Sequence, residues 1–187
     1  MLKFNCYLPR VFMKLNGVKY GRKLKLLGYP FIFRFSKAQI DIGNNVTFNS
    51  GFFSNLLGLY QRSIIVAKKQ AKIKIGNNVG ASGVTVYSWN SVEIGDNTKI
   101  GANVKIIDTD FHPINPEERL VGNNDISLTK PIEIGKNVFI GMNSIILKGT
   151  RIGDNCVIGA GSVVSGCFED NCVIAGNPAK LIRKIDV

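Results

Sequence analysis

An aliphatic residue recurs at every sixth position between residues 134 and 164, and this period constrains the fold more than any other feature. The six positions are Ile134, Ile140, Ile146, Ile152, Ile158 and Val164. Apolar residues recur every three or four positions on a helix and every two on a half-buried strand, so a strict period of six is typical of a solenoid. We expect three units to close a triangular coil, so that Ile134 lies on Ile152 and each column becomes part of an aliphatic core.

Two further columns accompany the aliphatic residues. The next position is often glycine, and the fourth position after it is often small: Gly135, Gly141, Gly153 and Gly159, and Ser144, Thr150, Cys156 and Ser162. We interpret these columns as a corner. Glycine would supply backbone angles that other residues adopt only with strain, and a small side chain would fit a sharp inward turn.

The composition indicates one globular domain, because 45% of the 187 residues are hydrophobic and only 20% are charged. No apolar run is long enough to predict a transmembrane helix. Pro9, Arg10 and Lys14 interrupt the first residues, which argues against a secretory signal. A cytoplasmic location is the resulting expectation, with peripheral contact at the inner face of the membrane as an option.

Positive charge is concentrated near the N-terminus. The net charge is +11, and every Asp and Glu lies at or after Asp41. A membrane surface, a phosphate-bearing substrate or nucleic acid would fit such a segment, and so would a solvated basic face. Charge alone leaves these alternatives open.

We divide the chain into a basic cap segment, residues 1–39, and a solenoid domain, residues 40–187. In the cap segment, residues 29–35 read as a strand, and apolar residues have helical spacing at Leu8, Val11, Phe12 and Leu15. Because terminal coils of a solenoid need covering, we expect this helix to pack over the open end; lying on a membrane is the alternative.

The repeat stops after Ile106 and resumes at Ile132, which leaves a long excursion at 108–131. Insertions of this kind in repeat proteins cluster on a binding face. The excursion contains His112, the only histidine of the chain. Asp110 would point the same way in an extended segment and could hold the imidazole, with Asp108 as a second candidate. A single histidine near carboxylates is, by itself, more often a surface residue without a role.

The C-terminal tail, residues 170–187, carries Lys180, Arg183 and Lys184 after an Asn-Pro turn. These cations could bind phosphates or simply be solvated. The four cysteines form no CxxC pair and have one histidine to assist them, so no zinc site is predicted.

Three motifs in this order resemble the hexapeptide-repeat acyltransferases, which include galactoside, maltose and xenobiotic O-acetyltransferases. They are residues 108–113, 134–141 and 158–164, the last followed by the tail motif at 175–180. The resemblance extends from about residue 40 to the end. The basic N-terminus is more similar to capsule and O-antigen acetyltransferases.

The resemblance implies an all-β fold, a left-handed parallel β-helix with a short N-terminal cap and a protruding loop. It further implies a homotrimer with active sites between subunits, a saccharide acceptor, acetyl-CoA as co-substrate, and neither a metal nor nucleic acid. His112, with Asp110, would be the general base that deprotonates an acceptor hydroxyl attacking the thioester. A positioned base contributes roughly 10²–10⁴-fold.

The residues expected at the cofactor are Met142, Ala160, Ser165, Lys180 and Arg183. The candidates at the acceptor are Ser82, Trp89 and Asp108, although the residues near Ser82 and Trp89 do not match the small-sugar enzymes of the family. Trp89 could stack on a sugar or merely fill a corner. Met142 stands where galactoside enzymes have a serine near the thioester oxygen, so a backbone N–H would have to stabilise an oxyanion.

The predicted function is O-acetylation of a saccharide, such as a surface polysaccharide precursor. Three alternatives remain open. They are a non-catalytic scaffold or binding module, an N-acetyltransferase acting on an amino sugar, and a metal enzyme on the same solenoid, which would need three histidines.

Overall fold

The computed structural model of the chain describes residues 7–121 and 128–186, and its strands form three sheets. Sheet I contains β1 Lys19–Tyr20, β4 Gln39–Ile42, β7 Lys72–Ile75, β10 Ser91–Ile94, β13 Ile132–Ile134, β16 Arg151–Ile152 and β19 Cys167–Phe168. Sheet II contains β2 Lys25–Gly28, β5 Thr47–Ser50, β8 Gly80–Ser82, β11 Lys99–Ala102, β14 Phe139–Ile140, β17 Val157–Ile158, β20 Cys172–Gly176 and β21 Ala179–Lys184. Sheet III contains β3 Phe31–Arg34, β6 Ile64–Ala67, β9 Thr85–Ser88, β12 Lys105–Ile107, β15 Ile145–Ile146 and β18 Val163–Val164.

The chain contributes one strand to sheet I, one to sheet II and one to sheet III in turn. Each such set of three strands is one coil of a parallel β-helix. Strands pair in parallel with their counterparts in the neighbouring coil, except that β21 returns antiparallel to β20. The predicted stacking is confirmed: Ile134 lies opposite Ile152, Ile140 opposite Ile158 and Ile146 opposite Val164. We name the corners I/II, II/III and III/I by the sheets that they join.

The core is a stack of aliphatic side chains inside the triangle. Ile140, Ile146 and Ile158 are completely buried, and the same columns continue towards the N-terminus through Ile100 and Ile106. Each such side chain contributes about 1.5–3 kcal/mol by leaving water. The period of six therefore sets both the topology and the main source of stability.

At corner I/II, the physical reason for glycine in the repeat differs from the predicted one. Gly135 has no left-handed backbone angle; instead, a Cβ on it would lie 2.7 Å from the carbonyl carbon of Gly153 in the next coil. The left-handed conformation belongs to the asparagine two positions later, with φ of 54° at Asn137 and 58° at Asn155. Asparagine tolerates this region well, and these two amides also bond to each other at 3.0 Å. Glycine is thus required by close approach between coils.

Replacing Gly95 with alanine tests this explanation. The new Cβ would lie 2.5 Å from the carbonyl carbon of Gly135, so neighbouring coils must move apart. We expect Gly95→Ala to lower the free energy of unfolding by about 1–3 kcal/mol in urea denaturation. Gly80→Ala is the matched control, because its Cβ meets nothing closer than 3.7 Å. Equal stability of the two variants would contradict the close-approach explanation.

Parallel pairing begins at Lys19, before the boundary predicted at residue 40. Strands β1, β2 and β3 form a complete first coil on β4, β5 and β6. Its buried residues include Leu24, Leu26 and Ile32. The predicted boundary at residue 40 excluded this coil because Lys23, and not asparagine, follows Gly21 at the left-handed corner position, with φ of 56°. Residues 1–6 of the cap segment lie outside the described residues.

Helix α1, Tyr7–Leu15, covers the open end of the first coil, but not with the residues that its sequence suggested. Pro9 and Met13 are the buried side chains, and the Arg10 guanidinium donates a hydrogen bond to the Leu24 carbonyl. The apolar residues predicted to pack there are exposed to differing degrees: Leu8, Val11, Phe12 and Leu15. Both stripes have helical spacing, so periodicity could not choose between them.

Two insertions interrupt the coils. Residues 51–62 leave corner II/III and include one 3-10 turn, Phe52–Ser54; residues 108–131 leave corner III/I and include helix α2, Pro116–Val121. Residues 122–127 of the predicted loop are outside the described part of the chain. Within residues 7–121 and 128–186, neither helix has the length and apolar character needed to cross a membrane.

Candidate active site

Asp108 closes the corner from which the second insertion leaves. Its carboxylate is completely buried and accepts hydrogen bonds from Ser88 Oγ at 2.6 Å, Trp89 N at 2.8 Å and Asn90 N at 2.9 Å. Burial raises the pKa of the Asp108 carboxyl, and these hydrogen bonds oppose the shift. The carboxylate is thus committed to the preceding turn, which argues against the predicted contacts with an acceptor and with the imidazole.

The two limbs of the insertion are joined at its base. Thr109 forms an antiparallel bridge with Thr129, and the Lys130 N–H donates to the Asp108 carbonyl at 3.1 Å. Lys148 lies on the same corner in the next coil and contacts both limbs: its ammonium group pairs with the Asp110 carboxylate and donates to the Leu128 carbonyl at 3.2 Å. One half-buried cation therefore anchors the loop at two points.

His112 is presented to solvent by a tight turn. Phe111 has a φ of 65°, and the His112 N–H donates to the Asp110 carbonyl at 2.8 Å. The Phe111 ring packs against Tyr87 and Trp89, with centroids 5.2 and 6.3 Å away. Among the described residues, no hydrogen bond joins the imidazole to either carboxylate. Asp110 was predicted to hold the His112 imidazole, but it pairs with Lys148 instead. It therefore contributes to the position of His112 only by fixing the loop that carries it.

We expect Lys148→Met to lower kcat about tenfold, because a loosened loop no longer holds the imidazole in one place. The loss of stability should be only about 1 kcal/mol for a half-buried pair. Lys148→Arg keeps a cation with two or more donors and should restore most of kcat. Wild-type kcat in Lys148→Met, measured beside KM and the unfolding midpoint, would remove Lys148 from the positioning role.

Corner II/III forms a ledge from two stacked turns. Gly161 donates its N–H to the Met142 carbonyl at 2.8 Å, and the Ser144 hydroxyl bonds to the carbonyls of Gly141 and Gly159 at 2.9 and 3.0 Å. In the described chain, the backbone N–H groups of Met142 and Ala160 donate to no acceptor. Rigid donors at the rim of the ledge are suited to bind carbonyl oxygens of a ligand.

The residues predicted at the acceptor are less available than expected. Ser82 is buried on corner II/III, where its hydroxyl accepts from Asn49 Nδ2 at 2.9 Å. Trp89 lies on corner III/I and is 8% exposed, with the ammonium groups of Lys69 and Lys68 over its ring at 4.6 and 5.7 Å. These contacts argue against the indole as a stacking platform for a sugar.

The tail cations lie at different distances from the ledge. Lys180 is exposed on β21 opposite Ala175, beside corner II/III, whereas Arg183 pairs opposite Val173, further across sheet II. Ser165 is exposed on corner III/I. Lys180 is therefore the tail cation on the same corner as Ala160.

The structure divides the predicted site residues between two edges of sheet III. Met142, Ala160 and Ser82 lie at corner II/III, and His112 and Trp89 lie at corner III/I. Within one chain, sheet III therefore lies between the two groups. Lys148 was missed by the sequence reasoning because its partner Asp110 is 38 residues away and no local pattern marks the pair.

Comparison with known proteins places these features in a family. A model described as the hexapeptide repeat of succinyl-transferase matches residues 72–107 and 131–165. The putative lipopolysaccharide biosynthesis O-acetyl transferase of Escherichia coli is 30% identical over 170 residues, which cover 88% of this chain and 81% of that protein. This chain belongs to the hexapeptide-repeat acyltransferases. As a member of that family, it folds as a left-handed parallel β-helix.

This hexapeptide-repeat chain is also similar to galactoside acetyltransferases, in sequence and in structure. Galactoside O-acetyltransferase of Escherichia coli is 42% identical over 117 residues, 62% of this chain and 56% of that enzyme. A galactoside acetyltransferase solved in complex with coenzyme A has a TM-score of 0.52 and 34% identity, and the match covers 66% of this chain and 65% of that one. The chain thus spans little more than half of the galactoside enzyme that it matches in sequence.

Among residues 7–121 and 128–186, no group of three or more His, Cys, Asp or Glu side chains is placed to hold a metal ion.

Proposed function

We propose that this chain is an acetyltransferase that moves an acetyl group from acetyl-CoA to a hydroxyl of a saccharide. The observation that carries the proposal is the pairing of two features: an exposed imidazole on an anchored loop, and a ledge of unused backbone N–H groups at Met142 and Ala160. A base and an oxyanion-binding donor are the two groups that direct acyl transfer to a hydroxyl needs.

In the proposed reaction, the His112 imidazole takes the proton of the acceptor hydroxyl while the oxygen attacks the thioester carbonyl carbon. The Met142 N–H stabilises the negative charge that develops on the carbonyl oxygen. When the tetrahedral species collapses, the C–S bond breaks and the CoA thiolate receives the proton from the imidazolium. No covalent enzyme intermediate and no metal are required.

We assign the cofactor arm to corner II/III. The Ala160 N–H would bind a carbonyl of the pantetheine arm, and Lys180 would neutralise a phosphate near the same corner, with Arg183 further along β21. Ser165 of another chain would approach from its own corner III/I. Two or three cations beside a ledge fit a ligand whose charge is carried by phosphates.

The separation of the two corners supports a homotrimer with shared sites. Sheet III lies between His112 and the ledge, and its outward side carries apolar residues, including Leu147, which is substantially exposed, and Ile145. We propose that sheet III faces the threefold axis, so that His112 of one chain reaches the ledge of the next. Light scattering on the purified chain should give three times its mass of 20.5 kDa.

For the acceptor, we propose a saccharide carried by a phosphate-bearing group, at the cytoplasmic side of the membrane. The support is the basic N-terminal segment, in which nine Lys and Arg residues and no acidic residue precede Asp41. A phosphorylated lipid carrier or a nucleotide would both satisfy this charge.

The test is release of free thiol from acetyl-CoA in the presence of galactosides, maltose, amino sugars and nucleotide-linked sugars. We expect turnover with at least one acceptor and a product that alkaline hydroxylamine cleaves, because esters react with hydroxylamine and amides resist it. A resistant product would establish N-acetylation instead. Failure to bind any acyl-CoA in calorimetry would overturn the catalytic proposal in favour of a scaffold.

A further inference from the structure

Helix α1 exposes an apolar surface that covering the first coil does not explain. Pro9 and Met13 already close the end of the core. On the other side of the helix, Leu8 is 71% exposed and Leu15 is 83% exposed, and Tyr7 and Val11 lie beside them. A helix that only caps a solenoid normally presents polar residues to water.

Residues 51–60, which we call the apolar lobe, expose a second surface of this kind. Phe52, Phe53, Leu56 and Leu57 are each at least 70% exposed. Contiguous exposed apolar residues on a soluble domain usually mark a binding surface.

The framework of the apolar lobe is ordered, so its side chains are held outward by the backbone. The Ser54 hydroxyl donates to the Gly51 carbonyl at 2.6 Å, and Asn103 Nδ2 donates to the Gly58 carbonyl at 3.1 Å. Leu59 is the lobe residue that packs inward. Leu59 and the hydrogen bond from Asn103 thus hold the lobe on the β-helix. The exposed apolar side chains of the lobe are not needed for that attachment and can contact a binding partner.

Helix α1 and the apolar lobe border the same corner. The Phe12 ring of α1 lies 6.2 Å from the rings of Phe31 and Phe33 on β3. The lobe leaves corner II/III beneath the turn that leads into β3, where a Cβ on Gly28 would be 2.7 Å from the Gly51 Cα. The two surfaces therefore meet at the base of the lobe, at the first-coil end of the molecule, and from there the lobe runs along corner II/III as far as Asn103, two coils on.

The charge at this end is positive. Exposed cations on α1 and the first coil are Lys14, Lys19, Arg22, Lys23 and Lys25, and no acidic residue precedes Asp41. Beside the lobe, the Arg62 guanidinium lies 5.7 Å from the Phe31 ring centroid. Exposed aromatic and aliphatic side chains on a domain end that carries Lys and Arg are suited to insert into an interface and to attract anionic headgroups.

We propose that helix α1 and the apolar lobe dock this protein on the surface of an anionic bilayer. The apolar side chains enter the boundary between headgroups and acyl chains, and the surrounding cations bind the headgroups. The contact is peripheral and leaves the β-helix outside the hydrocarbon.

This orientation also specifies the acceptor, a step that rests on the proposed function. The base of the lobe, at Gly51, lies three coils from Met142 on the same corner, but the Gly58 carbonyl bonds to Asn103, whose coil is next to that of Met142. Strands in a sheet are about 4.8 Å apart, so along the helix axis the lobe comes within about 5 Å of the ledge. A saccharide linked to a membrane lipid could span that distance with its sugar at the ledge, so the acceptor class is a lipid-linked saccharide.

The test is sedimentation of the full chain with vesicles. We expect binding to vesicles of phosphatidylglycerol and phosphatidylcholine in equal parts, and much weaker binding to phosphatidylcholine alone. Replacing Phe52, Phe53, Leu56 and Leu57 together with serine should weaken binding to the anionic vesicles at least about tenfold. The matched control replaces Leu181 and Ile182, exposed on β21, with serine and should bind as wild type does.

Circular dichroism and light scattering accompany the sedimentation. The lobe variant should keep the wild-type melting profile and mass. The proposal is overturned if the wild-type chain stays in the supernatant with anionic vesicles, or if the lobe variant sediments as well as wild type. It is also overturned if the variant changes mass, since the lobe would then be a contact between copies of the chain. Because vesicle binding needs no acetyl transfer, its failure is distinct from failure of the proposed enzyme activity.

Discussion

His112→Ala is expected to lower kcat by about 10²–10⁴-fold, because a hydroxyl is a poor nucleophile at neutral pH without a positioned base. The imidazole is exposed and makes no side-chain hydrogen bond within the described residues, so its removal should leave the unfolding midpoint unchanged. Affinity for CoA, measured by calorimetry, should also remain, since the ledge at Met142 and Ala160 is on another corner.

Leu120→Ala is the control for this variant. Leu120 is exposed on α2 in the same insertion and has no place in the proposed site, so its replacement should leave thiol release unchanged. Turnover of His112→Ala within a few-fold of wild type, with the acceptor saturating, would show that His112 is not the base.

Asp108→Ala should lower the free energy of unfolding by about 2–4 kcal/mol, the second large effect. The variant leaves Ser88 Oγ and the N–H groups of Trp89 and Asn90 buried without their acceptor. An unsatisfied buried donor costs about 1–3 kcal/mol, partly relieved when the turn relaxes. Asp108→Asn keeps one acceptor oxygen and should lose less.

Kinetics of the same variants separate the structural role of Asp108 from the acceptor role predicted by the sequence. If Asp108 acts by holding corner III/I, Asp108→Asn should keep the KM for acceptor within about threefold. The kcat should fall, because a loosened loop no longer holds His112 in place. A large rise in acceptor KM with unchanged stability would restore the acceptor role and contradict the buried carboxylate.

The core columns were predictable because their cause is local. A parallel β-helix places one aliphatic residue inward in each six-residue unit, so Ile134, Ile140 and Ile146 could be aligned with the next coil from spacing alone. The same regularity made the excursion at 108–131 visible as a departure. The resemblance then supplied the hand of the helix, which a period does not report.

Other features depend on contacts between distant parts of the chain. Glycine at Gly135 suggested a special backbone angle, whereas its neighbour in the next coil excludes a Cβ. The face of α1 was chosen wrongly because Met13 and Leu8 both belong to helical stripes, and only the shape of the first coil decides which one is buried.

The candidate site was harder to predict than the fold. Asp110 was placed beside His112 by sequence proximity, but Lys148 from the next coil takes its carboxylate. Asp108 looked available for a ligand, yet the preceding coil surrounds it. These charged groups pair with residues of neighbouring coils, and the period of the sequence does not predict those pairs.

The central claim is that each active site combines His112 of one chain with the ledge of its neighbour. Complementation between two inactive variants tests it most directly: His112→Ala, and Ala160→Trp, whose indole would cover the ledge. When the two chains are expressed together with different tags and purified as mixed trimers, each trimer contains two chains of one type and one of the other, so one site in three joins an intact His112 to an intact ledge. We therefore predict about a third of wild-type thiol release. Mixed trimers as inactive as either parent would contradict the shared site.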